Sequence, residues 1–268
     1  MPDILSEKRP DGVAVITFNR PDRLNAFSDE LIEGLASALA AYASDPEVRC
    51  LALTGTGRAF CAGGDVKAMV EDVRAVTAGG DTDEEAAASL AQVEEATSEA
   101  LHSMPKPTVA LVNGFAMGAG FSLALACDIR LCSDQARLGT AFRNVALSGD
   151  FGGAYFLPRL IGAGHARELY FTGEIIDAKR ALELGLVNRV IPHDDLMTEG
   201  LAFCAKLAAG PTRALGRMKA NLNAAEGSPL TQLLRQEALN QRFSSLDEDH
   251  RSAARAFVEK KEPVFQGR

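Results

Sequence analysis

Residues 108–133 read TVALVNGFAMGAGFSLALACDIRLCS and contain most of an uncharged stretch that runs for 21 residues from Pro107 to Cys127. Such a stretch is long enough to cross a bilayer. Turn-forming residues interrupt it at Asn113-Gly114 and at Gly118-Ala119-Gly120, which favours separate buried elements over one membrane span. The pattern predicts a strand over 108–112, a helix over 118–126 and a second strand over 129–133.

The same alternation of strand and helix extends towards the N-terminus. VAVITF and CLALT are β-branched or apolar runs typical of buried strands, and Ser28 is a candidate N-cap. We expect strands at 13–18 and 50–54, helices at 29–43, near Val66 and at 85–103, and a loop at 75–84. Strands separated by helices are typical of an α/β protein with a mainly parallel sheet.

The C-terminal part of the chain has a different pattern. Strand signals stop near residue 190, and prolines separate the helical stretches that follow. The predicted helices are 194–209, 211–224, 229–244 and 248–260. We therefore predict a β/α core over 1–190 and a helical region over 191–268, which would pack on a neighbouring subunit.

Composition excludes several classes of protein. Of the 268 residues, 47% are hydrophobic and 24% are charged, as in a globular chain with a sizeable core. The formal net charge of −8 opposes binding to nucleic acid or to anionic lipid. The five cysteines have no metal-ligand spacing, and MPDILSEKRPDG lacks the apolar run of a secretory signal. We expect a cytoplasmic protein that binds neither nucleic acid nor membrane.

Two glycine-bearing turns stand out, RAFCAGGD at 58–65 and NGFAMGAG at 113–120. Each follows an apolar strand, and small residues let a ligand approach the main chain. Where a strand ends in such a turn and a helix begins, free N–H groups point outward at the positive end of the helix dipole. Two such turns side by side would hold a developing oxyanion. Alternatively, both are only tight packing turns.

Six segments together resemble the crotonase (enoyl-CoA hydratase/isomerase) superfamily, in order and over nearly the whole chain. They are FNRPDRLNAF, GRAFCAGGDV, ALVNGFAMGAGFSLALACDIRLCSDQARLG, SGDFGGAYFLPRLIG, TGEIIDAKRALELGLVNRVIP and AFVEKKEPVF. The resemblance implies an α/β spiral of β-β-α turns with a helical C-terminal trimerisation region, assembled as a homotrimer or a dimer of trimers. It also implies an acyl-CoA thioester as the substrate and no cofactor, since coenzyme A is part of that substrate.

The resemblance also assigns site residues. The oxyanion-hole donors would be the main-chain N–H groups of Gly64 and Ala119. The acyl pocket would be shaped by Met117, Phe142, Phe151 and the loop at 70–90. The residues implied to bind coenzyme A are Arg23, Leu24, Ala62, Gly64, Asp65 and Val66, with Phe257 and Lys260 of the last helix.

This sequence departs from the hydratases of the family at both of their catalytic glutamates, where it has Ser122 and Phe142. Hydration of an enoyl thioester needs a base for the water and an acid for the α-carbon, and neither residue can supply them. One acid, Asp150, stands at a position that carries the catalytic acid in some isomerases of the family. Asp150 is also a good N-cap for a helix beginning near Gly152. Phe142 and Phe151 would desolvate it and strengthen it as a base.

We therefore expect an enoyl-CoA isomerase in which Asp150 moves a proton while Gly64 and Ala119 stabilise the enolate. One alternative is an enoyl-CoA hydratase of fatty-acid or aromatic-acid degradation. A second is an acyl-CoA hydrolase or dehalogenase with Asp150 as the nucleophile. A third is a noncatalytic coenzyme A binder or an RNA-binding relative, and the negative charge opposes RNA.

Overall fold

The computed structural model describes residues 1–65 and 82–268 and contains two sheets in these ranges. The strands of the larger sheet are β1 (Ile4–Lys8), β2 (Val13–Phe18), β3 (Cys50–Gly55), β5 (Thr108–Val112), β7 (Ile129–Ser133) and β10 (Arg189–Ile191). They lie in that order, with β1 antiparallel to β2 and the others parallel. β5 is buried at every residue because both faces of the sheet are covered, which explains its continuous apolar run.

The smaller sheet consists of short strands, β4 (Ala59–Cys61), β6 (Phe115–Met117), β8 (Arg137–Gly139) and β9 (Ile176–Asp177). They lie in this order, and the first three are parallel. The chain passes from the larger to the smaller sheet three times, from β3 to β4, from β5 to β6 and from β7 to β8. This confirms the expected spiral of β-β-α turns. The sequence did not predict these strands, since two or three residues are too few to show a period of two.

Helices lie on both faces of the larger sheet. They are α1 (Asp29–Ser44), α2 (Asp83–Glu94), α3 (Ala100–Ser103), α4 (Gly118–Ala126), α5 (Gly153–Thr172), α6 (Ala178–Glu183), α7 (Leu196–Ala208), α8 (Thr212–Ala225), α9 (Leu230–Leu246) and α10 (Glu248–Val258). α1 lies on one face and α7 on the other, and the remaining helices pack around them or at the C-terminal end. Ser28 caps α1, with its Oγ accepting the Leu31 N–H at 3.1 Å. No helix in the described ranges is both long and apolar enough to span a membrane.

Two apolar clusters form the core, one on each face of the larger sheet. Leu31, Leu35 and Leu39 of α1 belong to the first cluster and are almost fully buried. α7 belongs to the second cluster and packs on the opposite face, where Cys204 lies among residues of β2, β3 and β5. Each fully buried leucine contributes about 1.5–3 kcal/mol. α7 therefore helps to cover the sheet, and the division of the chain at residue 190 stays a prediction.

The helix expected over 85–103 is interrupted. A π-helical turn, Glu95–Glu99, separates α2 from α3 and turns Thr97 and Ser98 into the interior. Such turns are common at functional sites and have no residue signature that a helical pattern would reveal. The helix expected near Val66, and most of the loop expected over 75–84, lie outside the described residues.

Candidate active site

The first corner of the site follows β4. The Phe27 N–H donates to the Gly63 carbonyl at 2.8 Å, and the Ala62 N–H donates to the Leu24 carbonyl at 3.0 Å. The loop after β2 therefore runs alongside residues 62–64 and holds them in place. Gly63 has φ = +84°, a left-handed conformation that favours glycine.

The second corner joins β6 to α4. Gly118 begins the helix and Ala119 is its second residue, so the N–H of Ala119 has no acceptor within the helix. Met117, which precedes the helix, provides no side-chain cap. Gly118 and Ala119 are both buried. The positive end of the α4 dipole therefore carries an uncapped N–H group suited to an anion.

The two corners touch main chain to main chain. A Cβ placed on Gly63 would lie 2.7 Å from the Met117 carbonyl oxygen and 3.2 Å from the Ala119 nitrogen. On the other side, a Cβ on Gly120 would lie 2.6 Å from the Cys61 Cβ. Only glycine allows this approach, which brings the N–H groups of Gly64 and Ala119 into one small region. Within the described ranges, neither N–H donates to a main-chain carbonyl in a loop or turn.

Asp150 lies in a loop with an unusual main chain. Phe151 has φ = +51°, a conformation that costs about 1–3 kcal/mol in a residue other than glycine and that occurs mostly at functional sites. The N-cap of α5 is Gly152, and no side chain caps this helix. Asp150 therefore does not serve as the N-cap. Its Oδ1 is buried and has no hydrogen-bond partner in the part of the chain that the structure describes.

The surroundings of Asp150 strengthen it as a base. Burial first, and the negative charge of Glu94 second, raise the pKa of the carboxyl from 3.8 to about 6. The flanking Phe142 and Phe151 are only 6% and 3% exposed, so their apolar rings shield one side of the half-buried carboxyl from water. A carboxyl group with this pKa is charged at neutral pH and binds a proton more readily than an ordinary aspartate.

Glu94 and Ser98 hold the Asp150 loop from outside, which the sequence did not reveal. The Phe151 N–H donates to Glu94 Oε1 at 2.9 Å, and the Ser98 Oγ donates to the Phe151 carbonyl at 2.9 Å. The π-helical turn between α2 and α3 brings both side chains to this position. Together the two bonds fix the left-handed Phe151 and thereby the direction of the neighbouring carboxylate.

Tyr170 is a third residue that the sequence did not single out. Its ring stacks on Phe142 at 6.1 Å between centroids and 13° between planes. Its hydroxyl is buried without a hydrogen-bond partner among the described residues. Burial, and then the charge of Asp150, raise the pKa of this phenol to about 12, so it carries its proton at neutral pH. Tyr170 lies within a helix, and no residue pattern in the sequence marked it as a neighbour of Asp150.

Phe142 connects the Asp150 loop to the second corner. A Cβ placed on Gly118 would lie 3.6 Å from its ring, and so would a Cβ placed on Gly149. One side of the ring therefore faces the corner that carries Ala119, and the other faces the loop that carries Asp150. This arrangement can hold a negatively charged oxygen at the corners and move a proton from the adjacent loop.

The residues implied to bind coenzyme A lie around the two corners, outside the described residues, or at the exposed C-terminal end of the chain. Arg23 is exposed, and Leu24 and Ala62 are half-buried around the two corners, as is Met117 of the expected acyl pocket. Asp65 forms an ion pair with Arg20 at 3.8 Å. Val66 lies outside the described residues. Phe257 is 84% exposed, and Lys260 is exposed beyond the end of α10. In the single chain these two residues therefore do not pack on the corners.

Asn25 stabilises this region from within. It is fully buried, and its Oδ1 accepts the Arg20 N–H at 2.8 Å. Its Nδ2 donates to the carbonyls of Thr56 at 3.0 Å and Ala59 at 2.7 Å. Because these bonds satisfy the buried amide, Asn25 ties the loop after β2 to the strand that leads to Gly63.

Comparison with known proteins agrees with this geometry. The family model described as "Enoyl-CoA hydratase/isomerase" matches residues 8–268. The chain is 36% identical over 257 residues to 1,2-epoxyphenylacetyl-CoA isomerase of Escherichia coli K12, covering 96% of both chains. It is 32% identical over 252 residues to short-chain-enoyl-CoA hydratase of Clostridium acetobutylicum, covering 93% of this chain and 92% of the relative.

Solved structures show the same fold. The crystal structure of enoyl-CoA hydratase from Bacillus anthracis superposes with a TM-score of 0.90 at 31% identity, covering 99% of this chain and 100% of the other. The sequence match extends over both corners and the Asp150 loop, and the structural match includes the two-sheet spiral that brings the corners together. The chain therefore belongs to the enoyl-CoA hydratase/isomerase family.

Proposed function

We propose that this enzyme is an enoyl-CoA isomerase that uses Asp150 as its single acid–base group. The observation that carries the proposal is the state of Asp150, which is half-buried beside the second corner with its Oδ1 buried, has a raised pKa and caps no helix. Ser122 and Phe142 stand where the two glutamates of the hydratases would be. A single carboxylate can shuttle one proton, whereas hydration also needs an activated water.

The proposed reaction moves a double bond in a 3-enoyl-CoA thioester. Asp150 takes a proton from C2, and the electron pair moves onto the thioester oxygen, where the N–H groups of Gly64 and Ala119 stabilise the enolate. Asp150 then returns the proton to C4, and the double bond moves from C3–C4 to C2–C3. A single oxyanion donor is worth about 100- to 1,000-fold in rate, and general acid–base catalysis about 100- to 10,000-fold.

A second candidate is hydration of a 2-enoyl-CoA thioester, which relatives named as hydratases favour. Glu94 lies close enough to raise the pKa of Asp150 and would be the other carboxylate of such a pair. Its Oε1 already accepts the Phe151 N–H, which ties it to a positioning role. This bond is why we rank the isomerase first.

The two functions are separated by assaying 3-hexenoyl-CoA and crotonyl-CoA side by side with the wild type, Asp150→Asn and the exposed control Asp29→Asn. The isomerase proposal predicts conversion of 3-hexenoyl-CoA to the 2-enoyl isomer, lost in Asp150→Asn and kept in Asp29→Asn. Hydration of crotonyl-CoA without isomerisation of 3-hexenoyl-CoA would contradict it. Mass spectrometry of the enzyme after turnover tests the nucleophilic alternative, which predicts an acyl adduct on Asp150.

We also infer a cytoplasmic homo-oligomer, most simply a trimer or a dimer of trimers. All five cysteines are free and buried, which suits a reducing compartment. In the single chain α9 exposes a row of large apolar side chains at helical spacing, namely Leu239 at 59%, Phe243 at 53% and Leu246 at 53%. A contiguous apolar row of this kind marks a protein interface, and the resemblance to trimeric proteins supports a second copy of this chain as its partner.

A further inference from the structure

Cys61, the last residue of β4, is fully buried between the two corners. Its Sγ accepts the N–H of Gly63, with 3.4 Å between the nitrogen and the sulfur. Within the described ranges, no main-chain carbonyl accepts this N–H in a loop or turn. Sulfur is a weak acceptor, but a buried N–H needs a partner, and the thiol is the one that the fold provides.

Gly63 is held at both of its main-chain polar groups. Its N–H is bonded to Cys61, and its carbonyl accepts the Phe27 N–H at 2.8 Å. In a planar trans peptide, the C=O of one residue and the N–H of the next residue point in opposite directions. Because the Gly63 carbonyl faces Phe27, the Gly64 N–H faces away from the loop after β2. Its direction therefore depends on the two bonds that hold Gly63 at φ = +84°.

The other side of Cys61 lies against the second corner. A Cβ placed on Gly120 would lie 2.7 Å from the Cys61 Sγ and 2.4 Å from the Cys61 carbonyl oxygen. Gly120 follows Ala119 in the first turn of α4, so the thiol packs on the main chain beside the second oxyanion donor. One side chain thus touches an immediate neighbour of each donor.

The Cys61 thiol is not itself suited to react. Burial raises its pKa to about 12, although the hydrogen bond from Gly63 opposes this rise, so the thiol keeps its proton at neutral pH. A buried, protonated thiol behaves as a small apolar group with a weak capacity for hydrogen bonds. Any effect of Cys61 on the reaction must therefore act through the main chain that it contacts.

We infer that Cys61 is a positioning residue for the oxyanion hole, which aims the Gly64 N–H through Gly63 and sets the spacing of the two corners. This inference rests on the proposed function, in which Gly64 and Ala119 hold the thioester oxygen. Without an acceptor at position 61, the buried Gly63 N–H is unpaired and the glycine is free to turn towards another partner. The Gly64 N–H turns with it, and the thioester carbonyl loses part of its polarisation.

Three substitutions separate the hydrogen bond of Cys61 from its packing. Cys61→Ser is smaller but keeps an acceptor, Cys61→Ala removes both the sulfur and the acceptor, and Cys61→Val fills the space without an acceptor. The matched control is Cys127→Ala. Cys127 lies just beyond the opposite end of α4 and is also buried, and burial raises its pKa to about 12 as well. Melting temperatures establish which variants are folded, and Cys61→Val replaces Cys61→Ala in the comparison if the alanine variant is not.

The direct readout is the infrared carbonyl band of butyryl-CoA that carries ¹³C at the thioester carbon and is bound to each protein. Hydrogen bonds from the corners polarise this carbonyl and move its band to lower frequency. The inference predicts the full shift for the wild type, Cys61→Ser and Cys127→Ala, and at most about half of it for Cys61→Ala and Cys61→Val. An undiminished shift in Cys61→Ala would overturn the inference. Equal losses in all three Cys61 variants would also overturn it, since the hydrogen bond would then play no part.

Turnover of 3-hexenoyl-CoA provides a second readout. The contact with the oxygen strengthens as charge develops, so Cys61→Ala should lower kcat about tenfold and change KM less than about twofold. A raised KM with an unchanged kcat would contradict the inference.

The infrared band does not depend on turnover, so it separates this inference from the isomerase proposal. The predicted bands without any isomerisation of 3-hexenoyl-CoA would refute the isomerase and leave the role of Cys61 intact. Isomerisation together with bands that do not respond to Cys61 would refute only the inference. Absence of a band shift in the wild type would refute both.

Discussion

Replacing Asp150 with asparagine should stabilise the folded enzyme while it removes the activity. The raised pKa of Asp150 means that the fold disfavours its charged form. Asparagine has nearly the same shape and no charge, so the folded state loses this penalty. The substitution keeps the contacts of the neighbouring Phe151 with Glu94 and Ser98, since both involve the main chain of Phe151.

The size of the effect follows from the shift in pKa. A rise from 3.8 to about 6 corresponds to about 3 kcal/mol of unfolding free energy at pH 7.5. Solvent reaches part of this loop, so we expect about 1–2 kcal/mol. Between the two pKa values the unfolded chain is charged at this position and the folded chain holds its proton. The advantage of asparagine therefore grows from none below pH 3.8 to its full value above pH 6, and is about half as large at pH 5.

Urea unfolding of the wild type and Asp150→Asn at pH 7.5 and pH 5 measures this difference. Asp247→Asn is the control of opposite sign. Hydrogen bonds from Arg217 first, and also from Arg213, lower the pKa of Asp247. The charged form of Asp247 therefore stabilises the fold above pH 3.8. This stabilisation is lost as the pH falls through the lowered pKa. We expect Asp247→Asn to lose about 1 kcal/mol at pH 7.5.

The reasoning would be refuted if Asp150→Asn were less stable than the wild type at pH 7.5, because the carboxylate would then be held by a favourable partner. A stabilisation of the same size at pH 5 and pH 7.5 would also refute it, since the effect would not come from ionisation. A stabilised but inactive variant is the expected result. It would mean that the fold holds Asp150 in a state that favours catalysis over stability.

The remaining predictions concern the corners, the pH dependence and the assembly. Gly63→Ala should lower kcat/KM at least 100-fold, because the added Cβ would press on the Met117 carbonyl and separate the oxyanion donors. The control Gly164→Ala places its Cβ in open space and should change kcat/KM less than twofold. Glu94→Gln keeps an acceptor for Phe151 but removes a charge that raises the pKa of Asp150, so the acidic limb of the kcat/KM profile should move to lower pH. Among the described residues, Tyr170 is then the titratable group that interacts with the carboxyl. An unmoved limb would argue against this coupling. Leu239→Arg should reduce the mass found by light scattering to that of a smaller species, and an unchanged mass would place the interface elsewhere.

The sequence predicted four of the six strands of the larger sheet and the main helices because their patterns are long, but it did not predict β1 or β10. The strands at 13–18, 108–112 and 129–133 and the helix at 118–126 are where the pattern placed them. The smaller sheet was not predicted as strands, since each of its strands has only two or three residues. The sequence did mark the turns that follow β4 and β6, because a close approach of two main chains requires small residues, and these are visible in the sequence.

The residues that contact the Asp150 loop from other elements could not be predicted in the same way. Glu94 is the last residue of α2, immediately before the π-helical turn, and Tyr170 lies in the last turn of α5. Their roles depend on where these elements pack relative to the Asp150 loop, which local residue patterns do not encode. The surroundings of Asp150 itself were predictable, since its phenylalanine neighbours stand nearby in the sequence.

The central claim is that Asp150 exchanges a carbon-bound proton of a thioester whose oxygen is held by Gly64 and Ala119. The most direct measurement is deuterium incorporation into 3-hexenoyl-CoA in heavy water, followed by mass spectrometry and NMR. Because the protonated Asp150 exchanges with heavy water before it returns a proton to carbon, the account predicts label at C4 of the product, and at C2 of recovered substrate, for the wild type and for Asp29→Asn. It predicts no label above the uncatalysed rate for Asp150→Asn. Label that persists in Asp150→Asn would contradict it.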